Sequence, residues 1–143
     1  MTEMNNWYID ITKDSYDKML MYVNDNNAFD GYEYHGAIRK GECCFDIYGE
    51  YGSGNVWFDL YVGGIDDRYA YSEKIKDYPY AYIDEYSFCI KPDDMEFEKF
   101  IQVAIKRAEE IFKIEKVTYY DRNKNESITV TLSEKANADL IIW

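Results

Sequence analysis

The spacing of apolar residues changes along the chain from every second position to every third or fourth. Every second residue is apolar over residues 7–11, 45–47 and 56–62, which is the pattern of a strand with one buried face. We therefore predict strands in these segments. Further strands are predicted at residues 34–40 paired with 43–50, at about 82–91, and at 116–120 paired with 126–132.

Two segments instead have the spacing of amphipathic helices, over about residues 13–24 and 93–113. Thr12 is placed to cap the first, and Asp93 with Glu96 has the spacing of a capping box at the start of the second. The apolar stripes that predict the two helices are Tyr16, Met19, Leu20 and Val23 in the first, and Phe97, Phe100, Ile101, Ala104, Ala108, Ile111 and Phe112 in the second.

Strands that occur in runs, with only two helices between them, predict an α+β fold. We expect one domain over residues 1–143, with a mostly antiparallel sheet of about six or seven strands and both helices packed on it. The apolar residues 140–143 are expected to form a last strand or to dock on the core, and a homodimer contact is the alternative. The odd number of cysteines, the lack of a signal sequence and the lack of a long apolar run predict a cytoplasmic protein.

The negative charge of the chain is concentrated in its first two thirds. Residues 1–98 carry 21 Asp and Glu against 8 Lys and Arg, whereas residues 99–143 carry 7 acids against 8 bases. Fourteen of the 16 tyrosines also lie in residues 1–98. Such a field repels nucleic acid and anionic membranes and attracts basic surfaces. We expect a basic protein partner, with no direct binding to nucleic acid or membrane.

Acids and tyrosines coincide most closely in residues 66–86, which hold six of each. Tyrosine is common at the energetic centres of interfaces, and acids beside it steer association with Lys and Arg. The predicted partner-binding residues are Asp66, Asp67, Tyr78, Tyr80, Tyr82, Asp84 and Glu85. The alternative is that these tyrosines pack in the core and that the acids form an ordinary solvated face.

No residue pattern in the chain indicates catalysis, a metal site or a cofactor. His35 is the single histidine, and no known nucleophile signature surrounds Cys43, Cys44 or Cys89. The loop Asp121–Asn125 begins like a calcium-binding loop, but Glu126 replaces the required glycine. We therefore expect no catalytic residues, no metal ligands and no cofactor.

In general character, as a small, acidic and aromatic-rich chain without a catalytic motif, the protein is similar to phage-encoded anti-CRISPR and antirestriction proteins. This similarity implies an inhibitor that covers the basic nucleic-acid-binding surface of an effector or nuclease. An immunity protein or antitoxin that neutralises a basic nuclease toxin is the first alternative. An α+β enzyme or small-ligand-binding domain is the second.

Overall fold

The computed structural model describes residues 2–4, 6–25, 31–63, 80–114, 116–121 and 125–137. They form the predicted α+β fold, with one six-stranded antiparallel sheet in the order β1-β2-β3-β4-β5-β6 and a separate hairpin of β7 and β8. The strands are β1 (Thr2–Met4), β2 (Trp7–Asp10), β3 (Tyr32–Lys40), β4 (Cys43–Glu50), β5 (Val56–Gly63), β6 (Tyr80–Ile90), β7 (Lys116–Asp121) and β8 (Glu126–Thr131). The helices are α1 (Lys13–Val23), α2 (Phe97–Ile114) and α3 (Leu132–Ala136).

The start of α1 agrees with its predicted cap. The Ser15 amide donates to the Thr12 hydroxyl oxygen at 3.1 Å, so the side chain satisfies one of the free amides of the first turn. The apolar stripe then buries Tyr16, Met19 and Val23, while Leu20 packs at the edge of the core.

The predicted start of α2 is wrong by about one turn. Asp93 has a φ of 52°, and the Met95 amide donates to the Pro92 carbonyl at 2.8 Å, so residues 92–95 form a turn. The first helical bond runs from the Phe100 amide to the Glu96 carbonyl. Because Asp93 lies within this turn in the left-handed region and the helix begins only at Phe97, Asp93 is not the cap of α2 and the predicted capping box with Glu96 is wrong.

One face of the six-stranded sheet packs against the helices. Phe45, Phe58 and Trp7 project from it, and Phe58 meets Phe100 of α2 at 5.7 Å between ring centroids. Trp7 stacks on Phe112 of α2 at 5.6 Å, and the rings are only 9° from parallel. This face and the helical stripes together form the described apolar core.

A glycine at the β-bulge of β3 allows this strand to lie close to β2. Gly36 has a φ of +152°, and a Cβ atom there would lie 2.4 Å from the Asp10 backbone carbonyl oxygen. The register of β3 and β4 shifts between Tyr34 and Gly36, which makes His35 the extra residue. The bulge turns His35 toward the helices, where its ring lies 5.7 Å from that of Tyr22 in α1.

Helix α3 was not predicted from the sequence. It is only five residues long, too short for a helical period to be recognised. It packs on the edge of the core, where Leu132 and Ala136 are buried. The predicted docking of residues 140–143 lies outside the described residues and stays a prediction. None of the helices in the described residues combines the length and the apolar sequence that a membrane span needs.

Candidate functional site

The face of the sheet that points away from the helices carries aromatic rings and carboxylates instead of aliphatic side chains. Because side chains alternate between the two faces of a strand, the sequence neighbours of the core residues lie on this face. We call this surface the tyrosine face and define it by Tyr34, Asp46, Tyr48, Trp57, Asp59 and Tyr61.

Two carboxylates lie directly opposite each other at the centre of the tyrosine face. The register of β4 and β5 pairs Asp46 with Asp59. Asp46 is only 3 % exposed, and the Cys44 thiol donates to its Oδ1 at 3.6 Å. Like charges in directly opposed positions of a sheet are unfavourable. The register of the two strands therefore concentrates carboxylates at the centre of this face.

The tyrosines around these carboxylates are held in the neutral form. Burial raises the pKa of Tyr34, Tyr48 and Tyr61, and the negative charge of Asp46 raises each of them further. The Tyr48 and Tyr61 hydroxyls are hydrogen-bonded to each other. The negative charge of the surface thus comes from carboxylates, while the phenols supply uncharged rings and hydroxyl groups.

A concave pocket of about 420 Å³ lies over part of the tyrosine face. Its described lining consists of Tyr32, Tyr48, Trp57, Asp59 and Ser87. The Trp57 indole N–H donates to Glu50 Oε1 at 2.8 Å, which fixes the orientation of the ring. Tyr32 remains 64 % exposed at the rim. The pocket therefore combines oriented aromatic walls with a carboxylate.

The same side of the sheet holds an arginine of this chain between a tyrosine and an aspartate. The Arg39 guanidinium lies 4.4 Å from the centroid of the Tyr8 ring. Its Nη2 donates to Asp10 Oδ2 at 3.0 Å, and the Arg39 side chain is only 14 % exposed. The ring and the carboxylate, both on β2, together hold the guanidinium of an arginine on the neighbouring strand β3.

The structure brings only part of the predicted site next to this surface. Asp66, Asp67 and Tyr78 lie outside the described residues. Tyr80, Tyr82, Asp84 and Glu85 belong to β6, whose backbone pairs with β5 so that Tyr82 stands opposite Tyr61. The predicted segment therefore continues into the strand beside the tyrosine face. Its role in partner binding stays a prediction.

Sequence reasoning missed the residues of β4 and β5 on this face. A signal was present, because the positions between the apolar residues of these strands hold Asp46, Tyr48, Trp57, Asp59 and Tyr61. A solvated face of a sheet more often carries short polar or lysine side chains. The two strands are predicted from their apolar positions alone. The unusual composition of the positions between them therefore does not enter the prediction.

His35 and Cys43 lie on the helix-covered side of the sheet, whereas Cys44 and Cys89 belong to the side of the tyrosine face. The His35 side chain is 5 % exposed, with its Nε2 atom 3.8 Å from Glu33 Oε1, and burial lowers its pKa. Burial raises the pKa of Cys43 to about 12 and also raises that of Cys89. These two cysteines are therefore thiols at neutral pH, and the thiol is the unreactive form.

The described residues contain no group of three or more His, Cys, Asp or Glu side chains arranged to hold a metal ion. Comparisons of the chain with protein-family models, with curated proteins and with solved structures found no match. The chemistry of the tyrosine face is therefore the basis on which a function can be proposed.

Proposed function

We propose that the protein is an inhibitor that acts by binding, and that its tyrosine face covers a basic, nucleic-acid-binding surface of a partner protein. The observation that carries the proposal is the pairing of carboxylates with oriented aromatic rings on the sheet face opposite the helices. Tyrosine and tryptophan supply most of the binding energy in many interfaces, and acids select basic partners.

The electrostatics of the whole chain support the same kind of partner. The net charge is −12, which opposes close approach to nucleic acid and speeds association with a basic protein. We propose further that this inhibitor is an anti-defence protein of the anti-CRISPR or antirestriction type, carried by a phage or another mobile element. Such proteins act in the cytoplasm of the host cell.

The test begins with capture of the partner from host cells and continues with the purified pair. The protein should displace nucleic acid from the captured partner in a competition titration. Its association rate should fall steeply between low and high salt, because exposed charges are screened beyond about 8 Å at physiological ionic strength. A partner that retains its nucleic acid at saturating inhibitor would contradict the proposed mechanism.

A charge-reversal variant tests the site predicted in residues 66–86. The variant replaces Asp66, Asp67, Asp84 and Glu85 with lysine, and circular dichroism establishes that it is folded. We expect slower association and weaker inhibition of the captured partner, because rim charges act mainly on the association rate. Binding equal to that of the parent would restrict the interface to the tyrosine face itself.

A further inference from the structure

We propose that the pocket lined by Tyr32, Tyr48 and Trp57 binds an uncharged phenol ring, the side chain of a tyrosine. The source of this tyrosine, a protein partner, rests on the function proposed above. Binding of the ring itself does not, because it can be tested with the purified protein alone.

The walls of the pocket are mostly aromatic. Three of its five described lining residues carry rings, and Tyr48 stands directly opposite Trp57 in the register of β4 and β5. Aromatic rings gain from stacking on one another beyond the area that they bury. A sugar carries hydroxyl groups around its whole ring, and aromatic walls leave many of these without hydrogen-bond partners. The walls therefore suit a flat apolar ring better than a sugar.

Two of the wall rings are held in place before a ligand binds. The Trp57 indole N–H donates to Glu50 Oε1 at 2.8 Å. The Tyr48 ring packs edge-on against Tyr34, with 5.7 Å between the ring centroids and 66° between the ring planes. Because these rings are already ordered, a ligand that stacks on them loses little affinity to the ordering of side chains.

The carboxylates around the pocket are already engaged within the protein. Glu50 accepts the Trp57 N–H, and Asp46 and Asp59 both interact with other groups of the chain. The pocket therefore does not need a cation to compensate a carboxylate. An anionic ligand would still meet their negative charge and is disfavoured. An uncharged ring fits both conditions.

A hydroxyl group in the lining selects a phenol among flat rings. Ser87 of β6 lines the pocket, and its Oγ atom is buried without a hydrogen-bond partner. A buried hydroxyl in this state is unfavourable. Rotation about the Cα–Cβ bond can turn it toward a ligand, and a phenol oxygen both donates and accepts hydrogen bonds. The ring of phenylalanine offers no such partner, so the pocket should prefer tyrosine.

The shape of the pocket favours a side chain over a free small molecule. Sites for small ligands usually enclose most of the ligand surface. This pocket is open on one side, and Tyr32 at its rim is 64 % exposed. A ring that enters it is held in addition by the chain to which it belongs, as aromatic anchors are at the centres of protein interfaces.

The experiment titrates the folded, full-length protein with blocked single residues and follows the Trp57 indole N–H signal by NMR. N-acetyl-tyrosine amide should bind saturably, with a dissociation constant in about the millimolar range that suits so small a ligand. N-acetyl-phenylalanine amide should bind several-fold more weakly because it lacks the hydroxyl group. N-acetyl-leucine amide and methyl glucoside should not saturate. Tighter binding of N-acetyl-lysine amide than of the tyrosine compound would show that the pocket selects charge and would overturn the proposal.

Two further ligands separate the two sources of a phenol ring. Free p-cresol carries the ring alone, and a blocked Gly-Tyr-Gly peptide carries it within a polypeptide. The peptide should bind more tightly, because its backbone adds contacts with the rim of the open pocket. Tighter binding of p-cresol would overturn the assignment to a protein partner and would indicate a pocket for a small phenolic compound.

Three variants locate the binding. Tyr32→Leu removes the exposed rim ring and should weaken binding of the tyrosine compound about two- to tenfold, since a stacking contact is lost. Tyr8→Leu makes the same change on β2, outside the pocket lining, and should leave binding unchanged. Ser87→Ala should remove the preference for the tyrosine compound over the phenylalanine compound. Equal effects of the two leucine variants, or an unchanged preference in Ser87→Ala, would overturn the proposal.

These outcomes are distinct from failure of the proposed function. Tyrosine binding that depends on Tyr32, without displacement of nucleic acid from any partner, would leave the pocket intact and remove the inhibitor mechanism. Displacement of nucleic acid by a protein that ignores every tyrosine probe would do the reverse.

Discussion

The two faces of the six-stranded sheet are formed by the same strands but carry different kinds of side chain. On the helix-covered face, Phe45, Phe58 and Leu60 are fully buried against apolar partners. On the tyrosine face, the alternate positions of the same two strands hold Asp46 opposite Asp59, with tyrosines and a tryptophan around them. The first face is built from groups that gain by burial, and the second keeps charged groups close together.

The difference separates a face that stabilises the fold from the face that we propose for binding. Burial of apolar rings stabilises the fold by about 25 cal/mol for each Å² removed from water. The tyrosine face instead combines carboxylates with aromatic rings, a combination suited to contact with a basic partner. Substitutions on the two faces should therefore have opposite consequences for stability and for binding.

The largest expected effect lies on the helix-covered side. Phe100→Ala should lower the free energy of unfolding by about 3–5 kcal/mol, because its ring is fully buried between Tyr16 and Phe58 and its removal leaves a cavity. Lys106→Ala, on the exposed side of the same helix, should change it by less than about 0.5 kcal/mol. Urea unfolding measures both, and similar small effects would mean that α2 does not pack as described.

A smaller effect is expected on the tyrosine face. Trp57→Phe removes the indole N–H that donates to Glu50 Oε1 at 2.8 Å and should lower the free energy of unfolding by about 1 kcal/mol. The same urea experiment provides the measurement. A loss as large as that of Phe100→Ala would show that the two faces contribute equally to stability, and the contrast between them would be lost.

The smallest effect concerns the single titratable histidine on the helix side. Burial holds the pKa of His35 below its usual value of 6.5, although nearby Glu33 acts in the opposite direction. Below pH 6.5 the unfolded chain therefore binds a proton that the folded chain resists, and stability falls as the pH falls toward the folded-state pKa. His35→Gln should remove this part of the pH dependence. The measurement is the change in unfolding midpoint between pH 7.5 and pH 5.5, which should be smaller in the variant than in the parent. Parallel pH profiles would contradict the burial of His35.

The regular elements could be predicted because each strand and helix carries its own period. The stripe of α2 and the alternation of β5 both follow from burial on one side, which a single sequence displays directly. The start of α2 was missed because Asp93 adopts a left-handed conformation that its spacing from Glu96 does not indicate. Local spacing describes a cap only when the chain before it enters in an extended conformation.

The tyrosine face contains none of the partner-binding residues predicted from the sequence, because it depends on which strands become neighbours. Acidic and aromatic composition drew attention to residues 66–86, where both types are dense along the chain. Asp46 and Asp59 are separated in sequence and become opposed only through the register of β4 and β5. Residues contributed by different strands form a surface that no linear pattern displays.

The most direct test of the central claim compares two variants with the same change of charge. Asp59→Lys alters the tyrosine face, and Asp17→Lys alters the exposed side of α1, where Asp17 is paired with Lys13 at 2.8 Å. Both variants are titrated against the captured partner at physiological salt. We predict that Asp59→Lys weakens binding at least about tenfold, as expected for loss of a hot-spot contact, while Asp17→Lys stays within about twofold, as expected for a distant rim charge. Equal losses of affinity in the two variants would mean that net charge alone drives association. A loss of affinity confined to Asp17→Lys would place the interface on the helical side and contradict the account.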